Sequence, residues 1–288
     1  MGWLCLMPET QPLSGSSQSQ LRKVLHREVE TSPDRSGVGW AQLRQAPLPH
    51  LGECPGTRFW IRCLAGLFRN RVLEVRGAEN IGVDRDPFIL VANHNQRLEA
   101  LLLPAVLALC RGGRMVHFLT DWLVLLYPLI GRIVLLNQPI IVTRKNAKVG
   151  WMNWLKRRYE SDVPAFEQAR LALQAGRSVG IYPEGTMNRD RSRLLRGQTG
   201  AAQLSLRSGA PVVPVGIRFP LGRPGTPIGD WEPMIIEFGK PVIPPPRTVD
   251  VEPEVHEIRD WHAQIMQAIS RVSGKQWTPE NQRTRYVA

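Results

Sequence analysis

Apolar and polar positions in this chain come in blocks. "PFILVAN", Pro87 to Asn93, is a fully apolar run closed by a polar residue, and "IIVTR", "SVGIYP", "APVVPVGIRF" and "PMIIEFGKPV" follow the same plan. Short runs with no polar face read as strands buried on both sides within a sheet. Helical patterns lie between them. "RLEALLLPAVLALC" reads as a helix kinked or broken at Pro104. "DVPAFEQARLALQAG" reads as a helix with an Asp162 cap, Pro164 in its first turn, an apolar stripe through Phe166, Ala169, Ala172 and Leu173, and Gly176 as its stop. "TGAAQLSLRSG" adds another helix, and a C-terminal helix is expected over about 252–273. This alternation predicts an α/β fold, a largely parallel or mixed sheet flanked by helices.

The first part of the chain has a different character. Residues 1–56 mix Ser, Gln, Pro and Gly around one charged stretch, Leu21 to Glu30, and are expected to form a disordered leader. A single domain is expected over 57–288, with its motif-bearing core at about 75–240. At its start, "RFWIRCLAGLFRNR" places Trp60, Cys63, Leu64, Leu67 and Phe68 at helical spacing, with Arg58, Arg62, Arg69 and Arg71 on the polar side. Two readings fit this N-terminal amphipathic helix: a surface helix packed on the core, or an interfacial helix on an anionic bilayer. The longest apolar window, Trp122 to Thr143, is interrupted by Pro128, Gly131, Arg132, Asn137 and Pro139, so it reads as core or membrane-dipping structure, not as a clean span.

The formal net charge of +12 over 288 residues points to a polyanionic surface or a phosphorylated substrate. Cys5, Cys54, Cys63 and Cys110 are scattered without a C-x-x-C pair, which argues against a zinc site or a disulfide framework. No metal is expected. The opening "MGWLCLMPETQPL" has neither a basic n-region nor the apolar length of a signal peptide, so a reducing cytoplasmic compartment is the expectation.

The chemistry gathers where strands end. In open parallel sheets, ligands sit in the crevice at the carboxyl ends of the strands. His94 follows "FILVAN", Glu184 follows "SVGIYP" and Arg144 closes "IIVTR", which brings all three toward that edge. Along a continuous helix, five residues would rotate Glu99 by roughly 140° from His94. A turn after His94 and a helix beginning near Gln96 would instead fold Glu99 back to the imidazole, fixing one tautomer and stabilising the imidazolium.

Taken together, these blocks resemble the PlsC-type glycerolipid acyltransferase family, whose best-known activity acylates lysophosphatidic acid. "VRGAENIGVDRDPFILVANHNQRLE" looks like the family's lead-in and its N-H-x4-acid block, "PIIVTR" its second block and "GIYPEGT" its third. "LRGQTGAAQLSLRSGAPVVPVGI", with Pro214 in place, is similar to the fourth. The resemblance spans roughly Val75 to Ile217 and, more weakly, "AISRVSGK" near the end. It implies that His94 is a catalytic base oriented by Glu99, and that Arg144, Glu184 and Gly185, with Thr186 alongside, bind the acceptor. Two departures stand out. Glu99 occupies a position where the family usually has Asp, and Met187 follows Gly185-Thr186 where it usually has Arg. A phosphate-binding role then moves to Arg189, Arg191 or Arg193, or the acceptor is not lysophosphatidate.

The implied reaction moves a fatty acyl group from an acyl-CoA or acyl-carrier-protein thioester to a hydroxyl of a lysophospholipid-like acceptor. No cofactor is expected beyond that donor. There is no G-x-S-x-G elbow, so no acyl-enzyme is expected, and a backbone N–H near Gly185 is the candidate oxyanion donor. The expected location is the cytoplasmic face of a membrane, peripheral or monotopic. Competing readings are a lipid-binding protein with a degenerate site and a basic nucleic-acid-binding protein; the latter lacks any RNP pair, G-x-x-G clamp or zinc finger.

Overall fold

The computed structural model describes residues 40–51, 55–246 and 252–280. At its centre are seven strands: β1 (Val72–Arg76), β2 (Ile89–Ala92), β3 (His117–Asp121), β4 (Ile140–Val142), β5 (Val179–Ile181), β6 (Val212–Arg218) and β7 (Met234–Phe238). They form one sheet in the order β1-β7-β6-β2-β5-β3-β4. Every neighbouring pair is parallel except β6 and β7. Strands β2 to β6 therefore point their carboxyl ends to one edge, and β7 begins there.

Seven α-helices accompany the sheet among the described residues: α1 (Trp40–Gln45), α2 (Pro55–Leu67), α3 (Glu99–Cys110), α4 (Pro128–Leu136), α5 (Ala165–Gln174), α6 (Gly200–Ser208) and α7 (Val255–Ser273). The central strand explains the layering. Leu90 and Ala92 of β2 join an apolar cluster with Leu102, Leu103 and Val106 of α3 and with α1 and α2. Ile89 and Val91 join a second with Ala169 of α5, Ala202 of α6 and Ile265 of α7. A strand covered on both faces must be apolar at every position, which is why "ILVA" reads as an unbroken run. The expected α/β class, a mixed sheet flanked by helices, is the one observed.

Several local expectations change. Residues 40–51 were expected in the leader, but Trp40, Leu43, Leu48 and Leu51 are buried in the first core cluster, and the Trp40 indole donates to the Ala65 carbonyl. Apolar residues too sparse to show a periodicity still complete a core. Residues 55 and 56, also expected in the leader, begin α2, while Leu21 to Glu30, Cys5 and Cys54 lie outside the described residues. Helix α3 runs through Pro104 without a break. Helix α5 is capped by Pro164, not by Asp162, while Gly176 does end it in the left-handed region at φ 70°. Strands β1 ("VLEVR") and β3 ("HFLTD") were not evident from the pattern, because alternating or charged residues interrupt their apolar character.

The expected apolar stripe of α2 divides. Leu64 packs with Ala105 of α3 and Ile133 of α4, and Trp60 and Phe68 lie against that cluster. Phe59 and Leu67 face outward, 61% and 76% exposed. On α4 and the turn before it, Tyr127, Leu129, Ile130 and Leu135 are also exposed. No helix among the described residues is long and apolar enough to cross a membrane.

Candidate active site

β2 ends at Ala92, and the next three residues build the site. Asn93 holds the strand end in place: its Oδ1 accepts from the Ile217 N–H at 2.8 Å and its Nδ2 donates to the Ile217 carbonyl at 3.0 Å. The side chain thus imitates one more rung of the β2–β6 ladder. The chain then turns through Gln96 to Leu98, and α3 starts at Glu99. The turn sets Glu99 under the imidazole, with Oε2 2.9 Å from His94 Nδ1.

Glu99 is fully buried, whereas the His94 side chain is 17% exposed. Oε2 also accepts from the Asn95 N–H at 2.7 Å, and Oε1 accepts from Asn95 Nδ2 at 2.8 Å. A carboxylate beside Nδ1 selects the tautomer that carries its proton there, leaving the Nε2 lone pair to face a substrate. The Tyr182 ring lies over the imidazole, 4.4 Å between centroids. Its hydroxyl is buried without a hydrogen-bond partner among the described residues. Burial, and then Glu99, hold this phenol well above its usual range, so it stays protonated.

Glu184 reaches the same place from β5, the neighbour of β2. Its Oε1 accepts from the His94 N–H at 3.3 Å, and its Oε2 accepts from Asn188 Nδ2 and the Leu195 N–H, both at 2.8 Å. The Asn188 N–H in turn donates to the His94 carbonyl at 2.7 Å. Glu184 and Asn188 therefore clamp both sides of the His94 backbone. Burial pushes the Glu184 carboxyl up, opposed by the Leu195 and Asn188 donors, Lys275 and the His94 N–H.

Gly185 turns the chain in the left-handed region at φ 67°, and a Cβ there would come within 2.7 Å of Gln198 Nε2. Its N–H donates to the Tyr182 carbonyl at 3.0 Å. That N–H is spent within the turn, so an oxyanion donor from this loop has to come from a neighbour of Gly185. Thr186 and Met187 follow, both half-buried.

The arginines separate. Arg189 donates to Asp230 at 2.7 Å and to the Ile228 carbonyl, and the Arg97 N–H also donates to Asp230. Arg191 pairs with Glu232 at 2.6 Å. Arg193 is exposed. Arg144 is exposed just beyond β4, on the same edge of the sheet as His94 but three strands away from β2. At strand spacing that is about 14 Å sideways from the strand that carries His94.

Sequence reasoning missed Asn95, Tyr182, Asn188, Asp230 and Lys275. Asn95 suits a cap as well as a ligand, Asn188 follows Met187 with no role of its own in the pattern, and Asp230 sits in a polar loop with no motif. Lys275 lies at the end of "AISRVSGK", where nothing marks it as buried. No group of three or more His, Cys, Asp or Glu placed to hold a metal occurs among the described residues.

The family model described as Acyltransferase matches residues 72–218, which run from β1 to the end of β6 and include His94, Glu99, Arg144 and Glu184. The chain belongs to that acyltransferase family. Among solved structures, it is similar to the 1-acyl-sn-glycerophosphate acyltransferase PlsC from Thermotoga maritima, with 22% identity and a TM-score of 0.48 over 77% of this chain and 79% of that one. A search of curated proteins found no match.

Proposed function

We propose that this acyltransferase moves a fatty acyl group from an acyl-CoA or acyl-carrier-protein thioester to a hydroxyl of a lysophospholipid-like acceptor. The reading rests chiefly on one observation: a half-buried imidazole whose Nδ1 is tied to a buried carboxylate at 2.9 Å, leaving Nε2 for substrate. Nε2 takes the hydroxyl proton as the oxygen attacks the thioester carbonyl. Glu99 stabilises the imidazolium, which returns the proton to the departing thiolate. The thioester is already activated, so no covalent enzyme intermediate is needed.

Arg144, Arg189 and Thr186 are the proposed contacts for the acceptor, with Gly185 shaping the loop and Glu184 supporting it from behind. Arg189 already has a carboxylate partner, so an acceptor phosphate would share it with Asp230. The exposed apolar residues of α2 and α4, two helices that share the Leu64–Ala105–Ile133 cluster, favour peripheral attachment to a membrane, on the cytoplasmic face where thioester donors are found.

The test is an assay of purified protein with acyl-CoA and acyl-carrier donors against a panel of lysolipids, with products identified by mass. An acylated lysolipid, absent with His94→Ala, is expected. Acylation of none of the acceptors, with phospholipid still co-purifying, would favour a lipid-binding protein with a degenerate site.

A further inference from the structure

Beneath the site lies a buried cation. Lys275 follows Gly274, which ends α7 in the left-handed region at φ 70°. That turn sends the chain back toward the sheet edge. There Gln276 makes a parallel bridge with Arg193, exchanging Leu194 N–H to Gln276 carbonyl and Gln276 N–H to Ser192 carbonyl bonds at 2.9 and 2.7 Å. The Trp277 indole and His262 Nε2 both donate to the Arg196 carbonyl, at 3.2 and 3.0 Å. The C-terminal segment is therefore bound along the 190–196 loop, and Lys275 points inward from it.

The Lys275 ammonium is buried and donates to two acceptors, the Asn95 side-chain Oδ1 and the Asp190 carbonyl, the second at 2.5 Å. The Asn95 contact matters for chemistry. An amide held by its oxygen must turn its NH2 the other way, and here that NH2 reaches Glu99 Oε1. We propose that Lys275 is a positioning residue of this acyltransferase: it fixes Asn95, Asn95 fixes Glu99, and Glu99 holds the His94 ring. The same ammonium offsets two buried carboxylates, Glu99 and Glu184. Burying a carboxylate without a compensating charge or donors is costly.

The groups facing Lys275 are Glu184, Glu99, Asp190 and Arg191. Burial lowers its affinity for a proton; the three acids oppose this and Arg191 adds to it. His94 faces Glu99 and Tyr182, with Glu184 on its backbone. Removing the lysine takes a positive charge away from the Glu99–His94 pair, which favours the protonated ring.

The inference rests on the proposed function, but half of its test does not. Lys275→Met and Lys275→Gln are compared with wild type by pH–rate profile and by NMR titration of the His94 ring, assigned with His94→Ala. Misplacing a catalytic group by about 1 Å can cost on the order of 10²-fold, so Lys275→Met should lose ten- to a hundredfold in kcat, with both KM values within about threefold. Lys275→Gln keeps a donor for Asn95 and should lose less; it carries the test if the methionine variant does not fold. In both variants the acidic limb and the ring titration should move to higher pH. A double variant with Asn95→Ser should cost no more than the worse single change. A kcat loss with unmoved limb and titration, or additive losses in the double variant, would overturn the inference. A wild type that acylates nothing overturns the proposed function, and the ring titration still decides on Lys275.

Discussion

At the scale of single residues, His94 and Glu99 carry distinct and separable consequences. Removing a general base costs about 10²–10⁴-fold in rate, so with His94 in its proposed role His94→Ala should lose at least that much while melting close to the wild-type temperature. Near-native turnover would show that another group takes the proton. Glu99→Gln keeps the shape but removes the charge that stabilises the imidazolium, so turnover should fall and the acidic limb should move to lower pH, opposite to the Lys275 variants. Glu99→Asp restores the acid usual in the family. Asn95 meets Glu99 through both its backbone N–H and its amide, so the shorter side chain should lose contacts here and turnover with them. Arg144 is a different kind of test. It lies well to the side of His94 and is exposed, so Arg144→Lys should raise the apparent KM of the acceptor and leave that of the donor within about twofold, because lysine cannot reproduce a planar two-pronged contact. Equal changes in both, or in neither, would remove Arg144 from the acceptor site.

At the scale of elements, α7 determines how the C-terminal segment meets the sheet. Gly216 of β6 lies directly under its last turn, and a Cβ there would overlap the backbone of Val272, three residues before Lys275. Backbone cannot yield as a flexible side chain can. Gly216→Ala should therefore cost about 1–3 kcal/mol of stability by overpacking, and turnover should drop further than that loss explains, since Lys275 moves with the helix. Urea unfolding and a rate measured well below the melting temperature check the two parts. The faces of α2 and α4 lead to a separate expectation. Trp60 and Phe68 pack against the Leu64–Ile133 cluster, so substituting them confounds folding with binding. Phe59 and Leu67 point outward, and Phe59→Ser with Leu67→Ser should weaken flotation with anionic vesicles in a protein that still folds. Unchanged flotation would exclude α2 from the contact.

Across the whole molecule, two buried histidines make stability sensitive to acid. His262 donates through Nε2 to the Arg196 carbonyl, and its Nδ1 is buried without a partner among the described residues. Burial lowers its proton affinity below the ordinary 6.5, opposed by the bond to Arg196 and reinforced by the Arg196 charge. His117, at the opposite edge of the sheet, is lowered by burial too, against its bond to the Gln138 carbonyl and with Arg177, Arg114 and Arg111 adding to the effect. Between the depressed folded value and 6.5 the unfolded chain binds more protons, so stability is lost as pH falls through that window. Glu184, raised above 4.5 by burial, acts in the reverse sense, with stability lost as pH rises through its own window. His262→Phe separates the two. The difference in urea midpoint between pH 7 and pH 5 should shrink in that variant, and an unchanged difference would assign the acid sensitivity elsewhere.

Features with local causes are legible in the order of residues. An unbroken apolar run must be a strand covered on both faces, a polar cluster directly after it must lie at the sheet edge, and a five-residue interval from His94 to Glu99 can close only through a turn. The left-handed turn at Gly185 and the stop at Gly176 belong to the same class, since only glycine enters that region at low cost. Features that depend on distant pairing become visible only in the folded chain. Strands β1 and β3 are strands because neighbours complete their hydrogen bonds, not because of their own pattern. Residues 40–51 are core because α2 and α3 offer them a surface. Arg189 is engaged because Asp230, 41 positions later, arrives beside it. Lys275 meets Asn95 across 180 positions, and no local regularity marks either residue for the other. A buried charge is recognised by the partners that the fold brings to it, and those partners are fixed only when the chain has closed.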